Sequence, residues 1–271
     1  MSLIKKYKNE TGYQSVVDVG EEGLKMAVFD LLKLKKGESY SGHTANSETA
    51  FVILYGNCNF RGNQFNYERI GKRKDVFSGK PTSVYLPHGH EYEIEANSDL
   101  EIALCSAVSY LNSEPVLIRP DDVTEMELGV FNWKRKAYFI IGDHFHTEYL
   151  YVGETFLPPG KWAFPPHRHD FSNWPKEVDM DEIYHFRIKS PGGFAIQVSY
   201  TDDRTRDAAY LVRDGDTTLI PNGYHPVGAS PTDSVYFLWF MAGKERYFLS
   251  SPDPDYSWIR NTEEFLKQTK E

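Results

Sequence analysis

The chain repeats itself over more than a hundred residues, and that repeat limits its fold more than any single motif does. Leu34-Lys35-Lys36-Gly37 returns as Leu157-Pro158-Pro159-Gly160, 123 positions later, each closing a run of apolar and aromatic residues. Glu48 followed by Thr49-Ala50-Phe51-Val52-Ile53 aligns with Glu182 followed by Ile183-Tyr184-His185-Phe186-Arg187 at an offset of 134, and Pro87-His88-Gly89 aligns with Pro221-Asn222-Gly223 at the same offset. A period of this length exceeds any solenoid repeat and fits a duplicated domain. Runs such as Phe51-Val52-Ile53-Leu54-Tyr55 and Val235-Tyr236-Phe237-Leu238-Trp239-Phe240 predict strands, because aromatic and β-branched side chains suit a pleated surface. Helical periodicity is scarce, so the expected class is all-β.

The offset changes by 11 between His169 and Glu182, where the second half carries an extra loop over residues 170–181, expected to act as a lid. Residues 112–122 are polar and marked by Pro115 and Pro120, which suits a surface connection and places the halves at 1–122 and 123–271. A short amphipathic stretch through Phe265 and Leu266 predicts a C-terminal helix with its cap near Asn261 and Thr262.

Composition removes several function classes. A formal charge of -9, without a basic cluster, argues against nucleic acid as a partner. No run approaches the roughly 20 apolar residues of a membrane helix, and the first residues lack a secretory apolar core, so a cytoplasmic protein is expected. Cys58 and Cys105 are the only cysteines and read as buried thiols.

Chemistry concentrates in the second half. His167 and His169 stand two apart, so on a strand both rings point to one face. Glu182 heads a strand-like run, and Pro221-Asn222-Gly223-Tyr224-His225 supplies a third imidazole on a turn that Gly215 and Gly223 would tighten. His167, His169, Glu182 and His225 thus offer three nitrogens and one oxygen to a single divalent transition metal, with Zn, Mn, Fe, Co and Ni all admissible. Glu177 is the rival oxygen donor. Across the repeat these four positions fall on Thr44, Asn46, Glu48 and Glu91, which leaves the first half without an imidazole in register. His144 and His146 lack a third partner, and His185 faces away from Glu182 by alternation, so all three read as structural.

These residues resemble the cupin superfamily, and within it the family that holds the 5-deoxy-glucuronate isomerases of inositol catabolism together with 4-deoxy-L-threo-5-hexosulose-uronate ketol-isomerase. The strings that carry the resemblance are Pro158-Pro159-Gly160-Lys161-Trp162, Pro165-Pro166-His167-Arg168-His169-Asp170, Asp181-Glu182-Ile183-Tyr184, Arg213-Asp214-Gly215-Asp216, Ile220-Pro221-Asn222-Gly223-Tyr224-His225-Pro226 and Phe237-Leu238-Trp239-Phe240-Met241-Ala242-Gly243. The resemblance covers essentially the full length of the chain, with these specific strings in its second half. Ala163 and Phe164 depart from the small hydroxyl residues that commonly follow the tryptophan in that family.

The resemblance implies a bicupin: two tandem double-stranded β-helix (jelly-roll) barrels with a short C-terminal helix, the first barrel carrying a degenerate site and the second a catalytic one. It implies an aldose–ketose isomerase that converts 5-deoxy-D-glucuronate to 5-dehydro-2-deoxy-D-gluconate through an enediolate. Alternatives are the pectin-breakdown ketol-isomerase, a metal-dependent dioxygenase and a noncatalytic sugar-binding bicupin. Tyr184, Glu177 and Glu148 are the candidate proton shuttles, and Arg168, Arg187 and Lys161 the candidate cations for a substrate carboxylate. Trp162 and Trp174 are candidates for the cavity mouth. The partner is a small sugar acid, and the first half is free to serve assembly into a homo-oligomer.

Overall fold

The computed structural model describes residues 2–268. Two large antiparallel sheets dominate it. In the first half, six strands run in the order Val116–Ile118, Ser83–Leu86, Ser47–Tyr55, Leu100–Val108, Val28–Leu34 and Gly12–Val17. A four-stranded sheet of Ser39–His43, Glu91–Ala96, Cys58–Gly62 and Phe65–Ile70 faces it. The second half repeats the plan, its large sheet centred on Asp181–Ile188, Val235–Ala242, Leu150–Leu157 and Arg135–Ile141 and its small one built from Trp162–Ala163, Val227–Ala229, Ala195–Tyr200 and Asp207–Val212. The chain is therefore a bicupin of two jelly-roll barrels, and sheet membership changes over between Ile118 and Thr124.

Three apolar cores follow from this layout. One fills the first barrel around Phe51, Phe60 and Ile94, and one fills the second around Tyr184, Phe186, Phe237 and Trp239. The third lies between the barrels, where the outer faces of the two large sheets meet through Phe29, Val52, Ile140, Val152, Leu238 and Phe240. Strands of the large sheets are consequently buried on both faces. Their sequences read as continuous apolar runs rather than alternating ones, and all eight residues of Val235–Ala242 are buried. Cys58 sits in the first of these cores and Cys105 in the one between the barrels, both as free thiols.

One residue of register separates the sequence alignment from the structure. Thr49, Phe51 and Ile53 alternate toward the interior of the first barrel, as Glu182, Tyr184 and Phe186 do in the second, so the true counterpart of Glu182 is Thr49. Thr49 Oγ1 lies 2.9 Å from Ser106 Oγ, a short neutral pair in the place of a carboxylate. Glu48 instead matches Asp181, and both point at the opposite barrel. Glu48 accepts the amides of Glu148, Tyr149 and Leu150 at 3.0, 2.7 and 3.0 Å, and also the Tyr85 hydroxyl at 2.8 Å. Asp181 Oδ2 accepts those of Lys25, Met26 and Ala27 at 2.6, 2.5 and 3.1 Å. The two receiving segments are 123 residues apart, so the barrels clasp each other through a pair of carboxylates related by the duplication.

Replacing Asp181 with Ala is expected to lower the stability of the chain by roughly 1–3 kcal/mol, because one buried and two part-buried amides would lose their acceptor together. Urea unfolding should show a lower midpoint with His167, His169, Glu182 and His225 untouched. An unchanged midpoint would mean that the clasp contributes nothing.

Two boundaries differ from the sequence reading. Ile4–Lys5 pair with Thr218 and Thr217, so the chain starts on the second barrel's sheet before entering the first. Lys6 Nζ and the Tyr7 amide then bind Asp216 at 2.7 and 3.3 Å, and the Tyr7 hydroxyl donates to Glu101 at 2.8 Å. The C-terminal helix begins at Trp258, a turn earlier than expected, after Asp253 caps a short 3-10 turn over Pro254–Tyr256. Thr262 is therefore inside the helix, its hydroxyl donating back to the Trp258 carbonyl at 3.0 Å instead of capping. No helix among the described residues is long and apolar enough to cross a membrane.

Candidate metal centre

The second barrel's interior brings His167, His169, Glu182 and His225 together. His169 Nε2 and His225 Nε2 approach the same oxygen, Glu182 Oε2, at 3.0 and 3.1 Å. The His167 ring centroid lies 4.8 Å from that of His225. Each position has a local cause. Glu182 follows Asp181 at the head of a strand that pairs on both sides, and alternation turns it inward. His167 and Arg168 pair with Pro252 and Ser251, which tacks the histidine segment to the C-terminal stretch. Gly223, at φ +78, approaches the Tyr200 carbonyl so closely that a Cβ would stand 2.5 Å from it, and this turn delivers His225.

The Nδ1 atoms decide which nitrogen faces the centre. His167 Nδ1 lies 3.2 Å from the Pro165 carbonyl, His169 Nδ1 2.9 Å from that of Met180, and His225 Nδ1 2.9 Å from that of Gly223. A carbonyl only accepts, so each Nδ1 carries a proton and Nε2 is the nitrogen left to face the interior. His225 Nε2 has no hydrogen-bond partner despite its nearness to Glu182. A buried imidazole nitrogen left unpartnered beside a carboxylate marks a place for a positive charge, and this donor set fits a divalent transition metal. Burial, reinforced by the two neighbouring imidazoles, pushes His167 down to about 3, which leaves it neutral at pH 7. Burial also works against a charged His169, but the hydrogen bond and charge of Glu182 outweigh it and hold His169 above its ordinary value. The Glu182 carboxyl is held well below the usual range because those same histidine contacts overcome its burial.

A pocket of about 580 Å³, its mouth included, opens beside these residues. Tyr184, Phe237, Trp239 and Met241 form one wall, with Leu128, Arg135 and Ala137 along another. Of the three candidate proton shuttles only Tyr184 lines it; burial and then the Glu182 charge raise its hydroxyl well above the normal range. Glu177 is corrected both as a base and as the rival ligand: its carboxylate is folded into its own hairpin, accepting the Asp170 and Phe171 amides at 3.0 and 3.2 Å. Glu148 is corrected as well, since it lies where the barrels meet and accepts from the Ser109 hydroxyl at 2.6 Å and the Tyr110 amide at 3.0 Å.

The candidate substrate cations are likewise engaged elsewhere. Arg168 is paired with Asp202, stacks on Phe171 and Tyr224, and stands 3.5 Å from Glu177. Arg187 joins Glu101 at 2.5 Å across the interface of the barrels. Lys161 donates to the Phe131 carbonyl at 2.8 Å and does not line the pocket beside the histidines. His185 faces the core between the barrels, with Nδ1 3.0 Å from Thr217 Oγ1, and His144 and His146 are exposed. Trp174, on the extra hairpin, packs against Tyr247, and Trp162 covers Gly228.

Sequence reasoning missed Arg135. It starts the strand Arg135–Ile141, and alternation puts it on the same inward face as Ala137 and Phe139. Its Nη1 donates to the Trp133 and Phe164 carbonyls at 3.2 and 3.1 Å. That alternation was the available signal.

The family model described as the KduI/IolB family matches residues 2–259. The chain belongs to this family. Among relatives in the family, a 5-deoxy-glucuronate isomerase of Geobacillus thermodenitrificans is 36% identical over 262 residues, covering 96% of each chain. The crystal structure of an IolB-like protein from Salmonella typhimurium LT2 superposes with a TM-score of 0.92 at 30% identity, over 96% of this chain and 100% of that one. Oxalate decarboxylase of Lactobacillus farciminis, at 10% identity and a TM-score of 0.61 over 93% of this chain and 88% of its own, shares the two-barrel fold alone. Membership of the KduI/IolB family makes the chain an enzyme of the isomerase class.

Proposed function

We propose that this chain is a metal-dependent aldose–ketose isomerase of inositol catabolism, converting 5-deoxy-D-glucuronate to 5-dehydro-2-deoxy-D-gluconate. The observation that carries the reading is the approach of the His169 and His225 Nε2 atoms to one oxygen of the buried Glu182 carboxylate, with the His167 ring 4.8 Å from that of His225, beside the pocket. The relatives' activity supplies the substrate.

A cation held by His167, His169, Glu182 and His225 would supply Lewis-acid stabilisation of the negative charge that develops on the two adjacent oxygens of an enediolate. The chain's own groups do the rest. The carbonyl-tied imidazoles keep the donor set rigid, because none can rotate without breaking its Nδ1 bond. Phe237, Trp239 and Met241 exclude water from one side of the pocket and protect the enediolate from side reactions. Tyr184, kept protonated by its surroundings, holds a proton for a substrate oxygen. The net change is a hydrogen moved between neighbouring carbons and a proton moved between their oxygens, so no oxidant enters.

Purified protein with verified metal content should convert 5-deoxy-D-glucuronate from aldehyde to ketone, followed by proton NMR, with no oxygen uptake. A metal-loaded protein inert toward this acid overturns the reading. Oxygen consumption would point to a dioxygenase instead.

A further inference from the structure

We propose that Arg135 anchors the substrate's carboxylate and so makes the pocket selective for sugar acids over neutral sugars; this rests on the isomerase reading above. A carboxylate entering a buried pocket needs a cation, because burying it unpaired is costly. Arg168 and Arg187 already hold acidic partners, and Lys161 lies outside the pocket. Among the described residues, Arg135 is the one arginine or lysine that lines the pocket with His167, His169 and Glu182.

Its bonding is that of a positioned but uncommitted guanidinium. Nη1 is fixed by two backbone carbonyls, and one of them belongs to Phe164, three residues before His167, so the same loop orients the arginine and the histidine. Nε and Nη2 make no hydrogen bond, and the side chain makes no ion pair, among the described residues. Glu263, the nearest acid to influence it, gives its two oxygens to the Gly129 amide and the Trp133 indole at 3.1 and 3.2 Å. Burial lowers the pKa of Arg135, with Glu263 and Tyr184 opposing, which reflects an enclosed cation short of negative charge. Two free N–H groups in a planar fork match the two oxygens of a carboxylate. Arg135 lines the same pocket as Tyr184, His167, His169 and Glu182, so an acid bound to its guanidinium shares that pocket with the proposed ligands.

The alternative role is purely structural, a staple between Trp133 and Phe164, and the test separates the two. Arg135→Gln and Arg135→Lys are compared with the unaltered protein, each with metal content and thermal melting measured first. Two substrates are used: 5-deoxy-D-glucuronate and the same sugar with its carboxylate reduced to a primary alcohol. Arg135→Gln should raise KM for the acid by about 100-fold or more, leave kcat/KM for the neutral sugar within about 2-fold, and keep the metal. Arg135→Lys should recover part of the loss. Calorimetric binding of the acid to metal-free protein should weaken in parallel, a readout that needs no turnover. An unchanged KM for the acid, or equal losses for acid and neutral sugar, overturns the assignment. An unaltered, metal-loaded protein that binds the acid without turning it over would instead count against the isomerase reading and leave the anchor supported, provided Arg135→Gln abolishes that binding.

Discussion

Replacing Glu182 with Gln is expected to empty the metal site and remove activity, while the second barrel stays folded. Glu182 is the only anionic donor of the four, and both His169 and His225 are aimed at one of its oxygens. A neutral amide removes the charge that offsets a dication and offers a poorer oxygen in its place. The loss should exceed the 10- to 100-fold that follows removal of an outer hydrogen-bond partner of a ligand, so an effect beyond about 100-fold is expected in both metal affinity and turnover. Stability should change little, since the barrel core rests on Phe186, Phe237 and Ile188. Elemental analysis with circular dichroism checks this; a folded variant that retains one metal per chain overturns the ligand assignment.

The same carboxylate sets a pH dependence. In the metal-free protein Glu182 holds the proton on His169, whose pKa is raised above its ordinary value, whereas His167 is already neutral. The stabilisation from that pair is complete below the unfolded histidine pKa of about 6.5 and fades as pH rises through the higher folded value. A metal must displace that proton. Its affinity should therefore rise by up to about tenfold per pH unit until the raised pKa is passed, with proton release visible by calorimetry in buffers of different ionisation enthalpy.

Replacing Arg73 with Met is expected to destabilise the whole chain by about 3–5 kcal/mol. Arg73 comes from the first half and Glu154 from the second, and their side chains are 2% and 0% exposed. The pair is bidentate, Nη1 to Oε2 at 3.0 Å and Nη2 to Oε1 at 2.6 Å, with the Tyr236 hydroxyl donating to the same carboxylate at 2.9 Å. Arg73 Nε also donates to the Ile53 carbonyl at 3.0 Å. Removing the guanidinium strands a carboxylate away from water with one neutral donor left. A loss of this size lowers Tm by roughly 5–9 °C for a chain of 271 residues. The double replacement Arg73→Met with Glu154→Leu should recover most of the loss, because no uncompensated charge remains. If the single and double variants melt alike, the ion pair is not what the single change broke.

The duplicated β-architecture and the four converging residues were legible in the sequence, because each leaves a local pattern: paired strings at a fixed offset, two histidines two apart, a glycine turn before the third. The register was not. A strand buried on both faces shows no alternation, so matching Glu48 to Glu182 by chemical likeness lands one position off, on the face toward the other barrel. The partners of Arg168, Arg187 and Glu148 were equally hidden, since Asp202, Glu101 and Ser109 reach them only through folding. Charge alone marks such residues as candidates; position shows that their polar atoms are already engaged elsewhere. Arg135 went unnoticed for the converse reason, lying outside the motif-rich segments and meeting the site through the Phe164 carbonyl.

The strand Ile4–Lys5 ties the first residues to Thr217 and Thr218, and the Leu219 amide donates to the Leu3 carbonyl at 2.9 Å. During synthesis the leading segment must wait, unpaired, until more than two hundred further residues have left the ribosome. The second barrel can seal its outer edge only then, so excising either half as a separate fragment would leave an open β-edge on one piece and an orphan strand on the other.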